Sequence, residues 1–399
     1  MALKKILVIT DALTQPLYHA RVRNVVQSLR DKNVNIDWIT EKYETIPSTL
    51  NVEPIIQIPF YKHQGTLGKV EWLCKNILNV LFDYKNRYFT RHALKYVTDT
   101  EYDMVFCSTF HTFGLRAAHK IAQQKQIPLH IDLRDIAEQC ANNAYSKALS
   151  SSSFNLINKL YRQLNIWRRN KILRKADSLS SVSPWHVDYL SQFNPKTHLI
   201  YNGYDEKRFY PMKVKSERFK IVYAGKWYGK PLQDPTLLFE ALSEIDKPLI
   251  DIVWYTNAEM HAPLKQMASQ YLENNHQLEV NSYVPNSEVA TILANSSIIL
   301  VLTNKGTHGI MTTKFFEALG VEKPILCIRS DEGYLAKTIQ ETKSGLAATR
   351  VEEVKDFILK AYAQWEQEGY THVEVQQKEQ FSRQNQALQF EEIFNNIIK

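Results

Sequence analysis

THGIMTTKFFEALGVEKPILCI, Thr307–Ile328, is the stretch whose reading decides the fold. An apolar segment, Ser296–Leu302, and a polar turn, Thr303–Gly306, precede it. Two threonines suited to capping open a short apolar helix, and Lys323-Pro324 opens the next strand. Strand, loop, helix and strand in that order form half a turn of a parallel α/β sheet, in which ligands bind beyond the strands' carboxyl ends. The loop offers free backbone N–H groups and the positive end of a helix dipole, which suit a phosphate. Lys314 and Glu317, three apart, share a face of that helix. A cation for phosphate beside a carboxylate for sugar hydroxyls is what a nucleotide sugar requires.

Working outward, the 399 residues exceed one ordinary core and predict two domains. A composition 44% hydrophobic and 23% charged is that of a soluble globular chain. Cys74, Cys107, Cys140 and Cys327 are scattered without CxxC spacing, so neither a zinc site nor a disulfide framework is indicated. The apolar run Ile6–Ile9 stops at Asp11 and reads as a first strand rather than a signal peptide. No run reaches the roughly 18 apolar residues of a spanning helix, so a cytoplasmic chain is expected. Residues 1–205 hold 27 Lys+Arg against 17 Asp+Glu, and the remainder 22 against 25, which marks the first half as the side to meet an anionic partner.

Lys4–Thr10, Pro16–Lys32 and Val34–Thr40 read as a βαβ opening without a GxGxxG fingerprint. Arg21 and Arg23 there suit an acceptor or phosphate, though for each alone a solvated helix face is the expected reading. Gly68–Tyr96 is a long helical region rich in Lys, Arg and aromatics, and Lys159–Lys175 is strongly basic. Each is either a helix on an anionic membrane surface or a packed helix with a solvated basic side. No nucleic-acid motif accompanies the charge. Asn142–Ser153 is a Ser/Asn-rich break. Strands at Asp103–Thr109 and Pro128–Leu133 end just before His111 and before Arg134 and Asp135. These positions suit ligand contact; a helix-capping histidine and a loop ion pair are the plain alternatives.

Further strands, Asp177–Ser183 and Thr197–Tyr201, flank a helix opened by Pro184, and Asn202-Gly203 then breaks the pattern. The charged segment Lys207–Lys220 reads as the interdomain linker. A second alternating series starts at Phe219–Gly225, and its first turn, Gly225–Pro231, carries two Gly and two Lys, Lys226 and Lys230, suited to a diphosphate. The expected domains are 1–205, 206–374 and a last helical segment, 375–399, docking back on the first.

These residues together resemble retaining glycosyltransferases of family 4. The resemblance rests on VYAGKWYGK followed by DPTLLFEAL, on NGYDEKRFYP (Asn202–Pro211), on TKFFEALGVEKPIL (Thr313–Leu326) and on DLRD (Asp132–Asp135). It implies a GT-B fold, with two doubly wound Rossmann-like domains facing each other across a cleft. Glu317 would bind the donor ribose and Lys226 or Lys230 the diphosphate, beside Gly225. His308, Gly309, Ile310, Met311 and Thr312, leading to Thr313 and Lys314, would present backbone amides to phosphate and sugar. Asp135, His111 and Arg134 are the candidates for contact with the reacting sugar or acceptor. Many relatives carry a glutamate eight positions before the equivalent of Glu317, where this chain has Gly309.

No two aspartates stand two apart, so no D-x-D motif holds a metal. The expected reaction is metal-independent transfer with retention from a nucleotide sugar, UDP-linked by default, without a cofactor. The acceptor would be a glycan or lipid-linked, in bacterial cell-surface polysaccharide synthesis, with the enzyme peripheral on the membrane's cytoplasmic face. A nucleotide-sugar epimerase of the same fold and a non-catalytic nucleotide-sugar-binding protein are the competing readings.

Overall fold

The computed structural model describes residues 3–13, 19–42, 55–61, 65–110, 112–136, 138–139, 155–230, 232–246, 249–272, 276–303 and 310–399, with side chains omitted at 155–159. The chain divides into two compact units, residues 1–200 with 387–399, and residues 201–386.

In the first unit, β1 (Lys5–Thr10), β2 (Asn35–Lys42), β3 (Ile55–Pro59), β4 (Met104–Thr109), β5 (Leu129–Leu133), β6 (Ser178–Ser181) and β7 (Thr197–Leu199) form one parallel sheet. Their spatial order is β3-β2-β1-β4-β5-β6-β7. The order of the strands reverses between β1 and β4, the switch point where an open parallel sheet leaves a crevice. Helices cover both faces, so β1 and β4 are buried almost throughout and read as continuous apolar runs. On one face, Phe390, Ile393 and Phe394 of the last helix, Arg383–Ile397, join Val22, Trp38 and Phe106 in the core.

The helical region expected at 68–96 is two helices, Gly65–Phe82 and Tyr84–Val97, broken at Asp83, whose φ is 54°. Neither Gly nor Pro marks that break. β3 had no sequence expectation: it is an edge strand, only partly buried, ending in a proline. Arg21 is not on a solvated face. It is buried and bonds Asp132 through both Nε, at 3.0 Å, and Nη2, at 2.9 Å.

The second unit repeats the architecture with β8 (Lys220–Ala224), β9 (Asp251–Tyr255), β10 (Gln277–Asn281), β11 (Ile298–Leu302), β12 (Ile325–Ile328) and β13 (Gly345–Ala347). Their order is β10-β9-β8-β11-β12-β13, all parallel. Here the switch lies between β8 and β11. The two loops that the sequence marks for phosphate are those leaving these two strands.

Candidate active site

The helix Thr313–Val321 follows β11 and starts where Thr312 accepts the Phe315 amide. Its apolar face, Phe315, Phe316, Ala318 and Leu319, is buried against the sheet. That packing fixes the rotation of the helix and sends Lys314 toward the β8 loop. Gly225, first in that loop, has φ of 141°; a Cβ built on it would lie 2.0 Å from Lys314 Cε and 2.7 Å from Nζ. The lysine chain therefore occupies the space a side chain at 225 would take. Its ammonium lies 5.4 Å from the centre of the Tyr223 ring. Burial pulls the Lys314 pKa below its ordinary value, and the Glu317 charge only partly opposes this.

Glu317, one turn on, has its pKa raised to about 7 because burial penalises its charge more than Arg383, Lys314 and Arg208 stabilise it. It makes no hydrogen bond among the described residues. Arg383 Nη1 holds Asp205 at 3.1 Å, and Arg208 Nη2 donates to the Asn286 carbonyl. Neither arginine was singled out in the sequence, although Arg208 lies within the 202–211 motif: both reach Glu317 through the fold, from segments far apart in the chain.

Lys226 and Lys230 are exposed. Lys226 Nζ stands 5.1 Å from the Tyr228 ring centre. Between the two lysines the loop is anchored by the buried Trp227. The Trp227 amide donates to Thr256 Oγ1 and Asn257 Oδ1, its indole N–H bonds the Gln233 carbonyl at 2.8 Å, and its ring meets Trp254 edge-on at 5.8 Å. Met311 is buried and Ile310 exposed, while His308 and Gly309 lie outside the described residues.

In the first unit the switch point is built around Arg134. Its guanidinium stacks 3.6 Å from the centre of the Phe110 ring. Nη2 donates to Asp11, 3.3 Å away, and to His19 Nδ1, 3.1 Å away. Arg134 thus forms an ion pair with Asp11, and the Asp135 charge also opposes the lowering of its pKa by burial. Asp11 also accepts from the Thr109 hydroxyl and the Phe110 amide, tying the ends of β1 and β4 together. Burial and then Arg134 lower the His19 pKa to about 3, so the ring is neutral and its proton sits on Nε2. Beneath, Asp132 is fully buried yet stays ionised below its ordinary pKa. Desolvation is outweighed by Arg21 and by hydrogen bonds that include Ser180, and Ser108 adds another donor. His111 lies outside the described residues.

Among the described residues no cluster of His, Cys, Asp and Glu is arranged to hold a metal, and no helix is long and apolar enough to cross a membrane.

Two doubly wound units, each with its loops gathered at the switch point, make up the GT-B fold, and solved structures of that type match along the whole chain. A sucrose-phosphate synthase from Thermosynechococcus elongatus is 15% identical, with 98% of each chain covered and a TM-score of 0.63. Anabaena HepE in complex with UDP-glucose is 13% identical, covering 98% of this chain and 99% of that one, with a TM-score of 0.66. A glycosyltransferase from Rickettsia africae is 15% identical over 100% of both chains, with a TM-score of 0.66. No family model matches the sequence, and no curated protein does.

Proposed function

We propose that the chain is a retaining glycosyltransferase, moving a hexose from a nucleotide sugar to a glycan or lipid-linked acceptor in bacterial cell-surface polysaccharide synthesis, without a metal. The observation that carries this reading is the stacking of Lys314 on Gly225, with Glu317 one helical turn beyond. It brings a cation, a side-chain-free backbone and a carboxylate to one switch point, in the order of a diphosphate and its ribose. The UDP-glucose complex of the similarly folded HepE supports a UDP-linked donor.

On this reading the ribose hydroxyls donate to Glu317. Lys314 and the exposed chains of Lys226 and Lys230 neutralise the diphosphate, and the amides at 310–312 and the positive end of the 313–321 helix face its β-phosphate. Charge grows on that phosphate as the sugar departs, so fixed cations and amides lower the barrier selectively. In the first unit Asp135 is the candidate for direct contact with sugar or acceptor, together with His111. Arg134 positions Phe110 and Asp11 at the same switch point. The basic helices of that unit would hold the enzyme peripherally at an anionic membrane surface.

Purified protein incubated with UDP- and GDP-sugars should release nucleoside diphosphate only when a glycan or lipid-linked acceptor is added. Sugar isomerisation without acceptor would replace transfer by epimerisation, and absence of nucleotide binding in calorimetry would overturn both. Glu317→Ala should weaken nucleotide binding by about 1–3 kcal/mol, the cost of losing a charged hydrogen-bond partner.

A further inference from the structure

Away from both switch-point loops, the first unit contains a basic cavity of about 200 Å³, bordered by the helices Tyr84–Val97, Leu115–Lys125 and Asn155–Leu173. Arg116, Lys120, Arg168 and Lys171 line it against one carboxylate, Asp83. Asp83 is already engaged by Asn86 at 2.8 Å and by Arg116 at 3.4 Å. Arg169, also on the lining, is neutralised by Glu138. Among the described residues Lys120 and Lys171 have no carboxylate partner. Arg168 Nη1 is shut off from water, has no hydrogen bond among the described residues and lies 3.8 Å from Asp83. The excess of cations is felt by His119, whose pKa falls through burial and then through Lys175 and Lys120. A concave site lined by several cations against one shared carboxylate is suited to a multiply charged oxyanion.

A second, independent feature says what carries that anion. The helix Gly65–Phe82 contains no buried residue. Leu67 is 71% exposed, and Val70, Leu73, Ile77 and Leu81 are exposed with it at helical spacing. This helix is joined to the cavity's wall, since Asn79 donates to the Tyr161 hydroxyl at 2.8 Å. On the same wall helix Leu160, Leu164 and Trp167 are exposed along one face, and Trp167 also lines the cavity. Apolar side chains beside cations, with a tryptophan between, match the boundary of an anionic leaflet.

We propose that this cavity binds the phosphate or diphosphate headgroup of a lipid whose leaflet covers the 65–82 helix. It is separate from the donor loops and from the reaction assigned to them, and rests on the reading of this unit as peripheral on an anionic membrane.

The test uses the full chain and two probes. Phosphatidylcholine vesicles carrying phosphatidic acid are compared with vesicles of equal charge carrying phosphatidylglycerol, and inorganic pyrophosphate binding is measured by calorimetry. The wild type should prefer phosphatidic acid and be released by pyrophosphate. Lys120→Gln/Arg168→Gln/Lys171→Gln should lose about tenfold or more on both probes, at the scale of surface cations near a membrane. Leu73→Ser/Ile77→Ser should lose vesicle binding and keep the pyrophosphate site. Lys314→Gln, which alters only the donor loops, should leave the cavity's share of pyrophosphate binding unchanged. Pyrophosphate binding sensitive to the triple variant, with no vesicle binding, would reassign the ligand to a soluble phosphate and overturn the lipid. Equal binding to both vesicle types, or a triple variant equal to wild type with its melting curve unchanged, would overturn the site.

Discussion

Glu317 is a carboxyl that the folded chain keeps half-protonated near neutrality, because burial outweighs three nearby cations. A ribose that donates two hydroxyls needs the charged form, so binding must expel a proton wherever pH lies below about 7. Nucleotide affinity should therefore rise as pH is raised from 6 to 8, by up to about tenfold per unit on the acid side. Calorimetry across this range checks it, and Glu317→Gln should show a flat profile. Gly225 is the complementary residue. Alanine there meets both an unfavourable φ and the Lys314 chain, and should destabilise the second unit by about 1–3 kcal/mol while weakening nucleotide binding; urea denaturation and calorimetry read the two effects separately.

Among the elements, the 313–321 helix illustrates how an ordinary rule of propensity is overridden. Gly320 lies within it, where alanine would favour the helix, yet a Cβ would come within 2.7 Å of Phe209 Cβ and the Tyr204 ring. Gly320→Ala should cost about 1–3 kcal/mol through overpacking, seen as a lowered midpoint in urea; an unchanged midpoint would mean the 204–209 segment shifts freely. The helix, its flanking strands and its threonine cap were legible from the sequence, because alternating apolar runs and a capping residue are local signals. Contacts between distant segments were not. Arg21 pairs with Asp132 across 111 residues, Arg383 with Asp205 across 178, and Lys314 meets Gly225 with no spacing rule to announce it. The break at Asp83 was hidden for another reason: an aspartate took up a left-handed φ that only glycine adopts routinely. The basic helices kept two readings because periodicity does not say which face, if any, has a neighbour.

At the scale of the whole molecule, the two units should respond oppositely to acid. His19, His130 and His186, all in the first unit, are held neutral by burial, with pKa values of about 3, 3 and 4. The unfolded chain takes up protons first, so this stability is present above pH 6.5 and is lost as pH falls toward 4, by up to about 1.4 kcal/mol per histidine per unit. Glu317, raised from 4.5, works in the other direction. The folded second unit retains a proton that the unfolded chain loses, so its stability falls as pH rises from 4.5 to about 7. Differential scanning calorimetry at pH 5 should show the first unit melting earlier than at pH 7. His186→Phe should reduce that difference without loss at neutral pH, since neither ring nitrogen of His186 has a hydrogen-bond partner among the described residues.

The anchoring of Trp227 also has an optical consequence. One indole sits between the two lysines of the β8 loop, edge-on to Trp254, which in turn lies 4.4 Å from Tyr223, the ring beneath Lys314. Excitation absorbed by the tyrosine or by either indole is shared within this cluster. Any movement of the loop that alters the spacing of the two tryptophans changes the emission of the chain, so the donor loop carries its own fluorescent label.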